Sequence, residues 1–269
     1  MKLSIVLSTQ PAQFDAVAFK GDFECHVARI AELGYDGVEL AIREPKRLDG
    51  NQVVRVLERY GLQVPAIGTG QAWGEEGLSF TDPNPEVRAA AVQRVKEHVP
   101  FAARLGAQII IGLLRGMVKP GVSHEQAMRW LIEALRECCE AAASAGVRLC
   151  LEPINRYETT LVNTVAQGLE LIAAVGADNL GLLLDTFHMN IEEPTMETSL
   201  RAAGVRLFHF HVADSNRWYP GAGHIDFAHL LTVLQDMGYA GWVSGEFMPQ
   251  PDGDTAAREA IRHLRGWGY

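Results

Sequence analysis

Short runs of apolar and β-branched residues recur along the chain, and each gives way to a longer segment with apolar positions at helical spacing. The runs cover residues 3–7, 37–41, 63–67, 108–113, 147–152, 180–185, 205–211 and 242–246. Runs this continuous fit strands buried on both faces, as in a parallel sheet covered by helices. The segments between them carry helix start signals. Asp49 with Gln52, Ser123 with Gln126, and Thr164 with Gln167 each place a side-chain acceptor three residues ahead of a reciprocating Gln. Asn84 before Pro85 joins an N-cap to a first-turn proline, whose missing N–H has no helical partner to lose. Stop signals follow at Gly34, Gly61, Gly106, Gly146, Gly176 and Gly238, each shortly before the next strand.

Strict alternation of β and α predicts an α/β chain folded as a single (β/α)8 TIM barrel, one domain over residues 1–269. An open doubly wound sheet is the other solution. Its phosphate-binding fingerprint is absent, because Gly68-Thr69-Gly70 runs on into Gln71 and Ala72 without a glycine-led helix. The one long loop, residues 70–84, follows the third strand, on the side where a barrel keeps its active-site loops.

Composition narrows the partners. The 24 Lys and Arg against 33 Asp and Glu leave a net charge of -9, without the basic patch of a nucleic-acid binder. Cys25, Cys138, Cys139 and Cys150 form no CxxC pair and read as reduced thiols. The start, MKLSIVLSTQ, lacks a leader's cleavage site, and no stretch approaches the roughly 20 apolar residues of a membrane span. A cytoplasmic protein without nucleic-acid or membrane partners is expected. Exposed helix faces and Trp267-Gly268-Tyr269 hint at a homo-oligomer.

The chemistry gathers at the C-terminal ends of the strands, where barrels keep catalytic groups. Strand five ends Leu149-Cys150-Leu151-Glu152 and strand six Leu182-Leu183-Leu184-Asp185. Strand seven ends His209-Phe210-His211 and strand eight Val243-Ser244-Gly245-Glu246. A single carboxylate in such a place often only caps the next helix. Glu152, Asp185, His211 and Glu246 at one level are different, because carboxylates held this close repel unless a cation sits between them. Hard oxygen donors with one imidazole suit a divalent ion, Mn2+ first, with Mg2+ or Co2+ also fitting. No organic cofactor is expected. His209 shares a face with His211 but lies one layer deeper, and reads as structural.

The loops after these strands are dense in His, Arg, Asn and aromatic residues, which suits a small polyhydroxylated ligand. Glu158, His188 and Arg217 are the first-choice substrate contacts. Arg115 and Arg156 are candidate counter-charges for a carboxylated substrate, since a guanidinium can hold a carboxylate by two hydrogen bonds.

The segments EPINRYET, LLDTFHMNIEE, HFHVADSNRW, PGAGHIDF and GEF resemble the sugar isomerase/epimerase family with xylose-isomerase-like barrels, and within it the ketose 3-epimerases. MKLSIVLSTQ, FDAVAFKGD, AIGTGQA and IIGLLRG are more similar to its branch acting on 5-keto-L-gluconate. The resemblance implies that Glu152, Asp185, His211 and Glu246 hold the metal and that Glu152 and Glu246 double as the acid/base pair. Glu158, His188 and Arg217 would hold the O1–O3 end of the sugar. The implied activity is inversion of the carbon next to a ketone through a cis-enediolate. The 5-keto-L-gluconate/D-tagaturonate pair is the first expectation, and a D-tagatose/L-ribulose-type ketose or a hydroxypyruvate-type aldose–ketose isomerisation the alternative. Two carboxylates favour epimerisation, because the proton leaves one face and returns to the other. An apurinic-site endonuclease would need more His ligands and a basic groove, and a non-catalytic sugar-binding regulator would have lost a ligand.

Overall fold

The computed structural model describes residues 1–266, so Trp267-Gly268-Tyr269 lie outside the described residues. The strands are β1 (Lys2–Ser8), β2 (Phe19–Lys20), β3 (Gly37–Ala41), β4 (Ala66–Gly68), β5 (Gln108–Ile111), β6 (Leu149–Leu151), β7 (Leu180–Asp185), β8 (Leu207–Val212) and β9 (Trp242–Gly245). All pairings are parallel. They run β1-β3-β4-β5-β6-β7-β8-β9, and β9 pairs back onto β1, which closes the barrel. At the seam Ser4 faces Gly37 of β3 on one side and Ser244 of β9 on the other. The two-residue β2 is an addition that the pattern did not signal. It lies beside Leu7 and Ser8, past Ile5, the last residue of β1 that β9 reaches.

The helices are α1 (Phe23–Leu33), α2 (Gly50–Tyr60), α3 (Gly70–Glu76), α4 (Pro85–Leu105), α5 (His124–Ala143), α6 (Val165–Val175), α7 (Thr186–Glu192), α8 (Met196–Ala203), α9 (Phe227–Asp236) and α10 (Gly253–Arg265). The predicted N-cap acceptors form, but the reciprocating Gln closes the pair only at Thr164. Asp49 accepts from the Asn51 and Gln52 amides, Ser123 from Gln126, and Thr164 with Gln167 makes the reciprocal pair. Asn84 caps α4 directly ahead of Pro85. Residues 70–84, expected to be one long loop, instead begin with α3. That short helix buries Gln71 and Ala72 and is closed by Gly77 in the left-handed region. Packing against the barrel rim outweighs the poor helix propensity of its two internal glycines.

Leu3, Ile5 and Leu7 of β1 belong to the large core between sheet and helices. Ala66, Ile110, Cys150 and Leu183 form a second, smaller cluster on the opposite face of the strands, inside the barrel. Burying a Leu or Ile side chain is worth about 1.5–3 kcal/mol, so a closed barrel with both faces covered holds its strand ends rigidly. The cysteines are free, Cys25 exposed and the other three buried. Among the described residues, no helix is long and apolar enough to cross a membrane.

Candidate metal centre and active site

One ligand atom from each of Glu152, Asp185, His211 and Glu246 lies within 4.8 Å of the others. His211 Nδ1 stands 3.9 Å from both Asp185 Oδ2 and Glu246 Oε2. Asp185 serves twice: Oδ1 accepts from the Phe187 amide at 2.7 Å and so caps α7, while Oδ2 has no partner. Glu152 Oε1 and His211 Nδ1 are also buried without a hydrogen-bond partner. An orphaned buried polar atom costs about 1–3 kcal/mol, more when charged. A cation accepting lone pairs from all of them removes that cost, and three carboxylates with one imidazole suit a hard divalent ion. Gly112 makes the room: a Cβ there would meet Glu152 Oε2 at 2.7 Å.

His211 is aimed by a residue that the strand ends did not reveal. Its Nε2 lies 3.0 Å from both carboxylate oxygens of Glu39 on β3, and His209 Nε2 lies 2.8 Å from Oε2 of the same group. A carboxylate behind the ring leaves Nδ1 as the free lone pair. Burial opposes ionisation of Glu39. The His211 charge and the two imidazole hydrogen bonds outweigh it and hold the carboxyl well below the usual range. The available signal was a lone acid in an otherwise apolar strand, Gly37-Val38-Glu39-Leu40-Ala41.

A cavity of about 550 Å³ meets this cluster, with Glu152, Glu158, His188, His211, Arg217 and Glu246 in its wall. His188 Nε2 is 3.7 Å from Glu152 Oε1. Asn155 Nδ2 donates to His188 Nδ1 at 2.8 Å and to Glu158 Oε1 at 2.9 Å, which leaves the ring proton on Nε2, facing the cavity. Burial, and then the Arg217 charge, push His188 well below its ordinary value, so it is a neutral donor. Arg217 Nη1 donates to Glu158 Oε1 at 2.8 Å, and Nη2 is 4.0 Å from Glu246 Oε2. Its guanidinium lies 4.8 Å from the ring centre of Phe187 and 5.3 Å from that of Phe14. Arg217 has φ of 61°, a strain of about 1–3 kcal/mol that persists only where the surroundings over-determine it. Here its N–H donates to the Asp214 carbonyl and its own carbonyl accepts from the Met248 amide.

The electrostatics of the cluster favour a positive partner. Burial, and then the like charge of Glu246, push Glu152 well above the ordinary carboxylate value. Burial also raises Asp185, and it pushes Glu246 up to about 7. His211 goes up to about 10, because Glu39 and Glu246 outweigh the effect of burial. Burial raises all three, and neighbouring carboxylates add to it at Glu152 and Glu246, the pattern by which candidate functional sites are recognised.

The two arginines expected as substrate counter-charges go elsewhere. Arg115 is fully buried and donates to the main-chain carbonyls of Gly112, Glu152, Leu161 and Val162. Arg156 lies at the surface, paired at 2.8 Å with Glu192. Each takes the nearest acceptors that match its planar set of donors, and neither lines the cavity. The cavity wall also includes Phe14, Asp15, Gln71, Trp73 and Glu75. Among the described residues, Arg217 is the one Lys or Arg in that wall.

The family model described as xylose isomerase-like TIM barrel matches residues 27–267. The chain belongs to the xylose isomerase-like TIM barrel family. An L-ribulose 3-epimerase from Mesorhizobium japonicum is 35% identical over 236 residues, 87% of this chain and 78% of the relative. A 3-dehydro-D-guloside 4-epimerase from Escherichia coli is 28% identical over 88% of this chain and 91% of its own. The crystal structure of a D-allulose 3-epimerase from Methylomonas sp. in complex with D-allulose superposes with a TM-score of 0.84 at 25% identity, covering 99% of this chain and 96% of that one. This xylose isomerase-like barrel is an isomerase of the epimerase kind.

Proposed function

We propose that the protein is a divalent-metal-dependent ketose 3-epimerase acting on a neutral ketose of the L-ribulose or D-psicose kind. The observation that carries the reading is the pair Glu152 and Glu246. They are carboxylates at the ends of β6 and β9, three places apart in the strand order, that share one cation cluster and one cavity. Inverting a carbon beside a ketone requires a base on one face and an acid on the other, and these two supply both. Glu152, Asp185, His211 and Glu246 would hold the ion, which when bound supplies Lewis-acid stabilisation to charge developing on the ketone oxygen. One glutamate takes the C3 proton and the other returns a proton to the opposite face, the order following the epimer bound. The neutral His188 donates Nε2–H to a substrate oxygen, and Arg217 with Glu158 positions the neighbouring hydroxyls.

A neutral ketose ranks ahead of the 5-keto-L-gluconate/D-tagaturonate pair expected first. The relatives that support it are ketose 3-epimerases, and the cavity wall adds two acids, Asp15 and Glu75, but among the described residues no Lys or Arg besides Arg217, a balance that disfavours a carboxylated substrate.

Proton NMR in D2O tests this on the Mn2+-loaded protein with L-ribulose, D-psicose, D-tagatose, 5-keto-L-gluconate and a 3-keto-glucoside, with Glu246→Gln as the control. Deuterium at C3 together with the new epimer is expected, at least tenfold faster for a neutral ketose than for the ketouronate. Exchange confined to C1 and C2 would make the protein an aldose–ketose isomerase. Turnover restricted to 3-keto-glycosides, with deuterium at C4, would place the ketone one carbon further along.

A further inference from the structure

Arg115 stands in the short turn that follows β5, fully buried, and its hydrogen-bond partners are main-chain carbonyls. Nε donates to Leu161 O at 3.1 Å, Nη2 to Val162 O at 3.1 Å, and Nη1 to Gly112 O at 3.2 Å and to Glu152 O. Burial pushes the guanidinium down to about 10, so it remains charged at neutral pH. The charges of Glu152 and Glu158 offset only part of the cost of burying this guanidinium, and what it holds together explains its presence.

The carbonyls come from three stretches. Gly112 follows β5, Glu152 follows β6, and Leu161 with Val162 ends the loop that leads into α6. Residues 153–160 lie between the last two and carry Asn155 and Glu158, so one guanidinium ties both ends of that loop. Val162 has φ of 55°, an outlier for a β-branched residue. Its carbonyl accepts from Arg115 and also from the Ile154 amide at 3.2 Å. Thr159 adds a lesser tie, its Oγ1 donating to Gly116 O at 3.0 Å.

We propose that Arg115 is a positioning residue, a clasp on the carbonyls of Glu152, Leu161 and Val162 that sets where the Glu152 carboxylate and the His188–Asn155–Glu158 chain of hydrogen bonds stand. The proposal rests on the reading of Glu152 as a metal ligand. Lysine keeps the charge but concentrates its donors on one ammonium, and it does not span these carbonyls.

Arg115→Lys and Thr159→Val, prepared metal-free, are titrated with Mn2+ and Co2+ and followed by hydrogen exchange. Arg115→Lys is expected to weaken Mn2+ binding roughly 10- to 100-fold, as loss of a support behind a ligand does. It should also change the visible spectrum of bound Co2+, and speed exchange in peptides covering 153–162 but not in α10. Thr159→Val should move each readout the same way by less, with a roughly threefold loss of affinity, about what one neutral hydrogen bond supports. A lower melting temperature with wild-type Mn2+ affinity, a wild-type Co2+ spectrum and evenly spread exchange would overturn the clasp. If Arg115→Lys does not fold, wild-type behaviour of Thr159→Val overturns it instead. If the unmodified protein binds no Mn2+, the metal reading fails, and exchange over 153–162 alone decides for or against the clasp.

Discussion

Glu39 and His211 face each other inside the barrel, and the 3.0 Å contacts between them decide which imidazole nitrogen is left for a cation. Glu39→Gln keeps the shape and one acceptor but removes the negative charge that both His209 and His211 face. Mn2+ affinity of the metal-free variant is therefore expected to fall roughly 10- to 100-fold by isothermal titration calorimetry, with the Arg217–Glu158 pair left intact. An unchanged Kd would show that packing alone orients the ring. The same residues show what was legible at this scale. Glu152, Asp185, His211 and Glu246 could be read because strand-end position and period-two alternation place a side chain without knowledge of its neighbours. Glu39 could not be connected to His209, because its partner lies 170 residues away and the alternation says only that it points inward. Arg115 was misassigned for a related reason: its acceptors are main-chain carbonyls, which leave no mark on side-chain patterns.

The elements were legible in proportion to how local their causes are. Ser123 accepts from the Gln126 amide at 3.1 Å, a contact within one helical turn, and it starts α5 where the sequence places it. Ser123→Ala should lower stability by ~1 kcal/mol and the melting temperature by roughly 2–4 °C, measured by differential scanning calorimetry, with the Mn2+ Kd unchanged. A loss of affinity would mean that the start of α5 also braces the cavity. β2 and α3 escaped the pattern because neither is local in origin. The two residues of β2 are a strand only because the end of β1 lies beside them. In α3, Gly70 and Gly74 argue against a helix, and the burial of Gln71 and Ala72 decides for one. That helix places Trp73 in the cavity wall, so part of the substrate surface was hidden with it.

Across the whole molecule, the cluster draws its ligands from β6, β7, β8 and β9, the run of strands that ends at the β1–β9 seam. A cation tying those four ends would stabilise the closed barrel by mass action, about 2.7 kcal/mol at one hundred times Kd. It also competes with protons, and the sign follows from the raised groups. In the metal-free protein His211 sits at about 10 and Glu246 at about 7, and Glu152 is well above its ordinary value, so at neutral pH the cluster holds protons on the atoms a metal needs. Binding must release them, so affinity rises with pH. His211 alone gives up close to one proton between pH 6 and 8, which corresponds to roughly tenfold per unit and about a hundredfold across that range, with the glutamates adding to the lower half. Calorimetric titration with Mn2+ in two buffers of different ionisation enthalpy should therefore give different apparent heats, with more than one proton released at pH 6. An affinity that stays flat with pH, with no buffer dependence, would mean that the carboxylates are ionised and His211 is neutral without a cation, and the case for a built metal site would fall.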